Sequence, residues 1–197
     1  MFRKKDAVYN GMFLSALMQF PIGLWHRLTA PSADITTQQQ VNLPSFMGRW
    51  FEQARFDNFF EHGMDDVYSD YSLTEDNQFS VMNCGPNTAG VVKQIRGMGK
   101  VRDRRCPGKA EVSFVPPYKW FAAPYLILYT DSEYREALVA GSGGRYLWLL
   151  TREQYPEKAS IQRLLRVAQS RGFDIRRLRL TEHQKRKSTP ADIYKPG

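Results

Sequence analysis

What most constrains this chain is a rhythm. Between Met47 and Thr151, short runs rich in aromatic and β-branched residues recur, each ended by residues that turn the backbone. The predicted strands are 47–56, 66–73, 78–84, 91–102, 109–115, 123–130, 135–141 and 144–151. The breaks fall at Asp57-Asn58, Asp76-Asn77, Gly85-Pro86-Asn87, Pro107-Gly108, Pro116-Pro117 and from Gly141 to Gly144, all combinations that favour tight reversals. Within the runs polarity alternates. Val67, Ser69 and Tyr71 share one side, as do Phe79, Val81 and Asn83, then Val112 and Phe114, then Tyr125, Ile127 and Tyr129. Asp70, Ser80, Glu111 and Ser113 take the opposite side. A period of two with one polar face belongs to an antiparallel sheet buried on one side. Many short, evenly spaced strands joined in sequence predict a sandwich or a barrel.

After Pro156 the period becomes helical: Ile161, Leu164, Leu165 and Ala168 form one stripe, and Gly172 is a natural stop. The last run before it, Tyr146 to Leu150, is apolar on both faces, so its outer side needs a cover, and the helix is the obvious one. A short final strand is expected within 173–178. Composition supports one domain: 197 residues, 42% hydrophobic and 13% aromatic, can bury one substantial core.

The flanks differ from this body. Arg3, Lys4 and Lys5 precede an apolar run over 11–25, too short and too interrupted by proline to span a bilayer comfortably. Residues 1–32 are therefore expected to be a signal-peptide-like leader, or alternatively an uncleaved tether, and 33–42 a linker. The body is expected over 43–181 and a basic, flexible tail over 182–197. The net charge of +8 is concentrated towards the C-terminal end, which suits a solvated helix face and tail or contact with an anionic membrane surface. Aromatic residues do not interleave with that basic run as a nucleic-acid stacking platform would need, so no nucleic acid is expected. Cys84 and Cys106 are too few to define a redox compartment.

Three stretches carry a family resemblance. Gly48-Arg49-Trp50 resembles the first lipocalin signature, G-x-W, and Phe51 to Phe56 continues like the W-Y-E-I-A-R-F stretch of bacterial lipocalins; Phe60-Glu61-His62-Gly63 is similar as well. Thr130-Asp131, followed by Tyr134, falls where the second signature belongs, and Tyr146 to Arg152 resembles the third, which ends in arginine. The resemblance covers roughly 43–180 and is nearest to the bacterial outer-membrane subgroup. It implies an all-β fold, an eight-stranded antiparallel up-and-down β-barrel with one C-terminal α-helix packed on its outside. Such a barrel is just wide enough to be filled by side chains or to hold one small ligand.

In that fold Trp50 plugs one end and Arg152 lays its guanidinium across the indole, with Gly48 beside them, a structural closure rather than a catalytic one. The other end is the mouth, framed by the loops at 57–65, 85–90, 116–124 and 141–145. Phe59, Phe60, Tyr118, Trp120 and Phe121 lie on those loops in sequence, which suits packing over a lipid-like ligand or meeting a membrane. The residues expected to line the cavity are Glu52, Ala54, Phe56, Ser69, Tyr71, Val81, Asn83, Val112, Phe114, Tyr125, Ile127, Tyr129 and Trp148. The polar ones either orient a ligand head group or belong to the barrel's own hydrogen-bond network. Cys84 ends strand 3 near the mouth and Cys106 follows strand 4 at the other end, which predicts two free thiols.

The resemblance implies a carrier or store for a fatty acid, lysophospholipid or similar amphiphile, with no catalytic residue, cofactor or metal, exported to the periplasm or outer membrane. No cysteine lies near the leader, so no lipid-modified N-terminal cysteine is expected. The alternatives are a barrel-based isomerase or hydrolase using Cys84 or Glu52, and a membrane-surface adaptor acting through the basic C-terminus.

Overall fold

In the computed structural model, residues 33–58, 61–75, 77–87, 89–113 and 122–183 are described. A short helix α1 (Leu43–Phe46) leads into β1 (Gly48–Phe56), then β2 (Tyr68–Glu75), β3 (Gln78–Pro86), β4 (Val92–Val101) and β5 (Lys109–Ser113). There follow β6 (Ala123–Thr130), β7 (Glu136–Gly141), β8 (Tyr146–Thr151), α2 (Lys158–Ser170) and a three-residue β9 (Leu178–Leu180). The strands form one antiparallel sheet in the order β2-β3-β4-β5-β6-β7-β8-β1-β9, and β1 also pairs with β2, so eight strands close into a barrel. Closure removes the unpaired edges that an open sheet would present.

The strand boundaries differ from expectation mainly at loops. β3 runs through Pro86, so the reversal predicted at Gly85 falls instead beyond Asn87, whose backbone pairs with Val91. The expected final strand moves from 173–178 to Leu178–Leu180. Residues 33–41, expected as a linker, are hydrogen-bonded to the barrel: Asp34 donates to the Arg171 carbonyl at 2.7 Å and Gln38 to that of Ile127 at 3.0 Å.

Two bulges decide which side chains enter the barrel. In β1, Glu52 sits opposite Leu150 but Ala54 opposite Leu149, so Gln53 is an extra residue. Its amide is used locally, donating to Thr151 Oγ1 at 2.9 Å. In β6, Ile127 faces Val139 and Tyr129 faces Leu138, making Leu128 the extra residue. Because strand side chains alternate, a one-residue slip sends everything beyond it to the other face.

Two apolar layers follow. The inner one includes Trp50, Tyr71, Phe79, Val81, Val112, Tyr125, Ile127, Val139 and Leu150. The outer one sets Leu126, Leu128, Leu138, Ala140, Leu147 and Leu149 against Leu164, Ala168 and Phe173. This is why β8 is apolar on both faces: Trp148 and Leu150 look inward, while Leu147 and Leu149 lie under α2. Arg163 fixes the helix to β7 by gripping the Glu136 carboxylate with Nε at 2.9 Å and Nη2 at 2.5 Å. The helix stops at Ser170, and Gly172 supplies a φ of +82° just beyond it.

One end of the barrel is shut. Arg152 places its guanidinium carbon 3.9 Å from the centre of the Trp50 ring. Its nitrogens donate to the carbonyls of Tyr134 (3.0 Å), Arg49 (2.8 Å), Ser45 (2.8 Å) and Met47 (2.8 Å), tying α1, β1 and the β6–β7 turn together. Trp50 Nε1 donates to the Phe46 carbonyl at 2.7 Å. Gly48 holds φ at +92°, and a Cβ there would stand 3.2 Å from Arg152 Nη1, so glycine serves both the turn and the close approach.

Candidate ligand-binding site

From the closed end upwards, the barrel interior changes character. Above Trp50 lies a floor of three rings, Tyr71, Phe79 and Tyr125, with every pair of centroids 6.1 Å apart. Phe79 lies across the backbone of Gly99, where a Cβ would come within 2.2 Å of the ring, so the floor depends on the absence of a side chain there. Tyr125 donates its hydroxyl to that of Tyr71 at 2.8 Å. Burial pushes the Tyr71 hydroxyl up to about 12 and Tyr125 well above the ordinary phenol range, which keeps this pair uncharged.

Nearer the mouth the interior turns polar. Arg55, brought inward by the β1 bulge, is fully buried. It pairs with the Glu52 carboxylate through Nη1 and donates Nη2 to the carbonyls of Glu61 (2.7 Å) and Met64 (2.9 Å). The Glu61 side chain, on the β1–β2 connection, accepts from Asn58 Nδ2 at 2.7 Å, Trp148 Nε1 at 2.9 Å and Asn83 Nδ2 at 3.0 Å. Ser69 Oγ donates to Asn83 Oδ1 at 2.9 Å. Thr181 Oγ1 reaches Glu52 from the C-terminal segment, which fills the seam where β1 leaves β2; Asp66 donates its N–H to the Glu182 carbonyl at 2.8 Å. Among the described residues, Arg55 Nε is the buried side-chain nitrogen left without a partner.

The family model of the lipocalin-like domain matches residues 41–183, most of the chain and all of the barrel. The chain is a lipocalin. It is 34% identical over 146 residues to the outer membrane lipoprotein Blc of Escherichia coli, an alignment covering 74% of this lipocalin and 81% of that protein. It is 30% identical over 183 residues to mouse apolipoprotein D, covering 89% and 92%. Among solved structures, lobster apocrustacyanin A1 superposes with a TM-score of 0.65 at 19% identity, covering 83% of this chain and 93% of that one, a likeness of fold.

Of the residues expected to line the lipocalin's cavity, Glu52, Ser69, Tyr71, Val81, Asn83, Val112, Tyr125, Ile127 and Trp148 face the interior. Ala54, Phe56 and Tyr129 do not. They lie in the outer layer with α2 and Phe173, because each follows a bulge that reverses the alternation. Phe114, Tyr118, Trp120 and Phe121 lie outside the described residues, as do Phe59 and Phe60. Sequence reasoning missed Arg55 and Glu61 as interior groups. An arginine two residues before a loop reads as a surface charge unless the extra residue at Gln53 is known. Both cysteines are free, Cys84 buried and Cys106 exposed.

Two buried carboxyl groups therefore lie near one guanidinium, that of Glu52 paired with it and that of Glu61 held by neutral donors. Burial, then the nearby Glu61 charge, raise the Glu52 carboxyl to about 8, against the opposing pull of Arg55 and Thr181. A raised carboxyl binds a proton in the folded state that the unfolded chain has already released, so its stabilising contribution is full below 4.5 and is lost as pH rises to about 8. Stability measured by urea unfolding is expected to fall across that window. In Glu52→Gln the slope should flatten, and an unchanged slope would show that Glu52 holds no such proton.

Proposed function

We propose that this lipocalin carries or stores one small hydrophobic or amphipathic molecule, a fatty acid or lysophospholipid, in the mouth half of its barrel. The observation that carries the reading is a contrast in exposure. Inward residues at the floor are buried, yet those above it on the same strands, Ile95 and Lys93 on β4 and Tyr146 and Trp148 on β8, are only half-buried. Lys93 and Tyr146 stand at the mouth ends of β4 and β8, but Ile95 and Trp148 lie one inward step deeper, where an interior filled with side chains would close them to solvent. Space above an apolar aromatic floor suits an acyl chain entering tail first.

The same reading makes the protein a binder and not a catalyst. Cys84 lies on the outer side of β3, level with Tyr68, and Glu52 is enclosed by Arg55 and Thr181, so neither presents a nucleophile or base to a ligand. The bacterial relative Blc is an outer membrane lipoprotein, which supports a place in the cell envelope for this chain, with the leader over 1–32 as the export or tethering signal. Exposed Val91 and Val92 beside the mouth, and the basic C-terminal residues, suit delivery to or from an anionic membrane surface.

Displacement of a fluorescent fatty acid by unlabelled acyl chains of increasing length tests the proposal. Each methylene buried contributes about 0.8 kcal/mol, so affinity should rise about fourfold per carbon until the chain reaches the floor. A well-folded protein that binds no probe, and that shows no co-purifying lipid by native mass spectrometry, would remove the carrier reading.

A further inference from the structure

The polar groups above the floor are unbalanced in charge. Glu52 and Glu61 bring two carboxyls, and among the described residues only that of Glu52 forms an ion pair, with Arg55. The three donors that converge on Glu61, from Asn58, Asn83 and Trp148, are neutral, so they orient the carboxylate without matching its charge. Lys93, an inward cation, stands a step nearer the rim, level with Gly85, and Arg179, in register with Arg55, pairs with Asp65; among the described residues neither forms an ion pair with Glu52 or Glu61. Beside Glu61, Trp148 and Tyr146 turn half-buried rings inward, their centroids 6.0 Å apart and their planes inclined by 40°.

We propose that this constellation selects single-chain amphiphiles carrying an ammonium group over those carrying a carboxylate, with Glu61 setting the preference and Trp148 and Tyr146 forming the wall against which the cation rests. The inference builds on the carrier reading and names its ligand class. A carboxylate bound here would be a third acid around one guanidinium, whereas an ammonium supplies the missing positive charge. Indole and phenol faces attract such a cation through their quadrupoles, most strongly where water is excluded.

Without ligand, a proton balances the pair, and an arriving cation displaces it. The elevated Glu52 carboxyl, at about 8, is the group that holds that proton. The ionisable groups around it are Arg55 on β1, Glu61 on the connection, Tyr71 on β2 and, through the Glu52 carbonyl at 2.8 Å, His183, whose other ring nitrogen meets Asp66; Tyr125 on β6 stands behind Tyr71 and Glu61. Strands β3 and β8 present the neutral Asn83 and Trp148. Ammonium binding should therefore release a proton and tighten as pH rises towards about 8.

The test is calorimetric titration of the full chain with dodecyltrimethylammonium, dodecylphosphocholine, dodecanoate and dodecanol, each below its micelle-forming concentration. Both ammonium ligands are expected to bind roughly tenfold or more tighter than dodecanoate at neutral pH. Tighter binding of the first would point to a long-chain amine as the natural source, and of the second to a zwitterionic lysophospholipid; either supports the proposal. Glu61→Gln should lower the ratio of ammonium to dodecanol affinity roughly tenfold, and Glu52→Gln, which removes the same excess charge from another strand, should lower it as well. Dodecanoate binding as tightly as the ammonium ligands, or a ratio unchanged in both variants, would overturn the inference while leaving the carrier reading in place. Binding of none of the four would overturn both.

Discussion

Arg55→Met is expected to destabilise the protein by about 3–5 kcal/mol at neutral pH, the usual cost of removing one partner from a buried ion pair. Methionine retains much of the apolar stem, so packing contributes little to the loss. The effect arises because Glu52 and Glu61 would remain in the interior with no cation, and because the carbonyls of Glu61 and Met64 would lose their donor. The deficit should shrink as pH falls, since protonation of the carboxyls removes the charge left unmatched. It should also shrink in the double variant Arg55→Met/Glu52→Gln. Urea unfolding followed by circular dichroism at acid and mildly alkaline pH measures both. A cost that is small, or independent of pH, would mean that the guanidinium is not the counter-charge of this cluster.

Trp50→Ala should be about as severe, again about 3–5 kcal/mol, but for a different reason and without the pH dependence. The indole is fully buried, packs on Phe46 at a centroid distance of 5.1 Å and carries the Arg152 guanidinium on its other side. Its loss would leave a void between α1 and the aromatic floor and deprive the arginine of its platform. Because Phe46 also touches Tyr71 at 5.5 Å, the disturbance should reach the floor and reduce near-ultraviolet dichroism more than loss of one chromophore explains. Comparing Trp50→Phe with Trp50→Ala separates volume from the indole's bond to the Phe46 carbonyl. A loss below about 1 kcal/mol for the alanine variant would show that the end of the barrel is closed by α1 alone.

The physical distinction between these two variants matters for function. The closed end is apolar and over-determined, with four backbone carbonyls on one arginine, and it sets the fold. The mouth half is polar, ionisable and carries an unpartnered Arg55 nitrogen. Groups there are held tightly enough to be ordered, yet their protonation remains adjustable, which suits a place where a ligand's charge is read.

Much of this was legible in the residues themselves. The rhythm of strands and turns specified an antiparallel closed sheet, since only side chains repeating every second residue can line one interior. The two-sided apolarity of residues 146–150 announced the covering helix, and the G-x-W stretch with Arg152 announced the stopper. What the chain could not disclose was the register beyond each bulge. Gln53 and Leu128 look like ordinary strand residues, and nothing local marks them as extra. That single-residue slip exchanged Ala54, Phe56 and Tyr129 for the outer layer and drew Arg55 inside. Pairing between strands far apart in the chain decided it, and with it the meeting of Glu52, Arg55 and Glu61. Periodicity is a local property and so can be read along the sequence, but the side of the wall on which a charge ends depends on the neighbouring strand's alignment, which exists only once the barrel has closed.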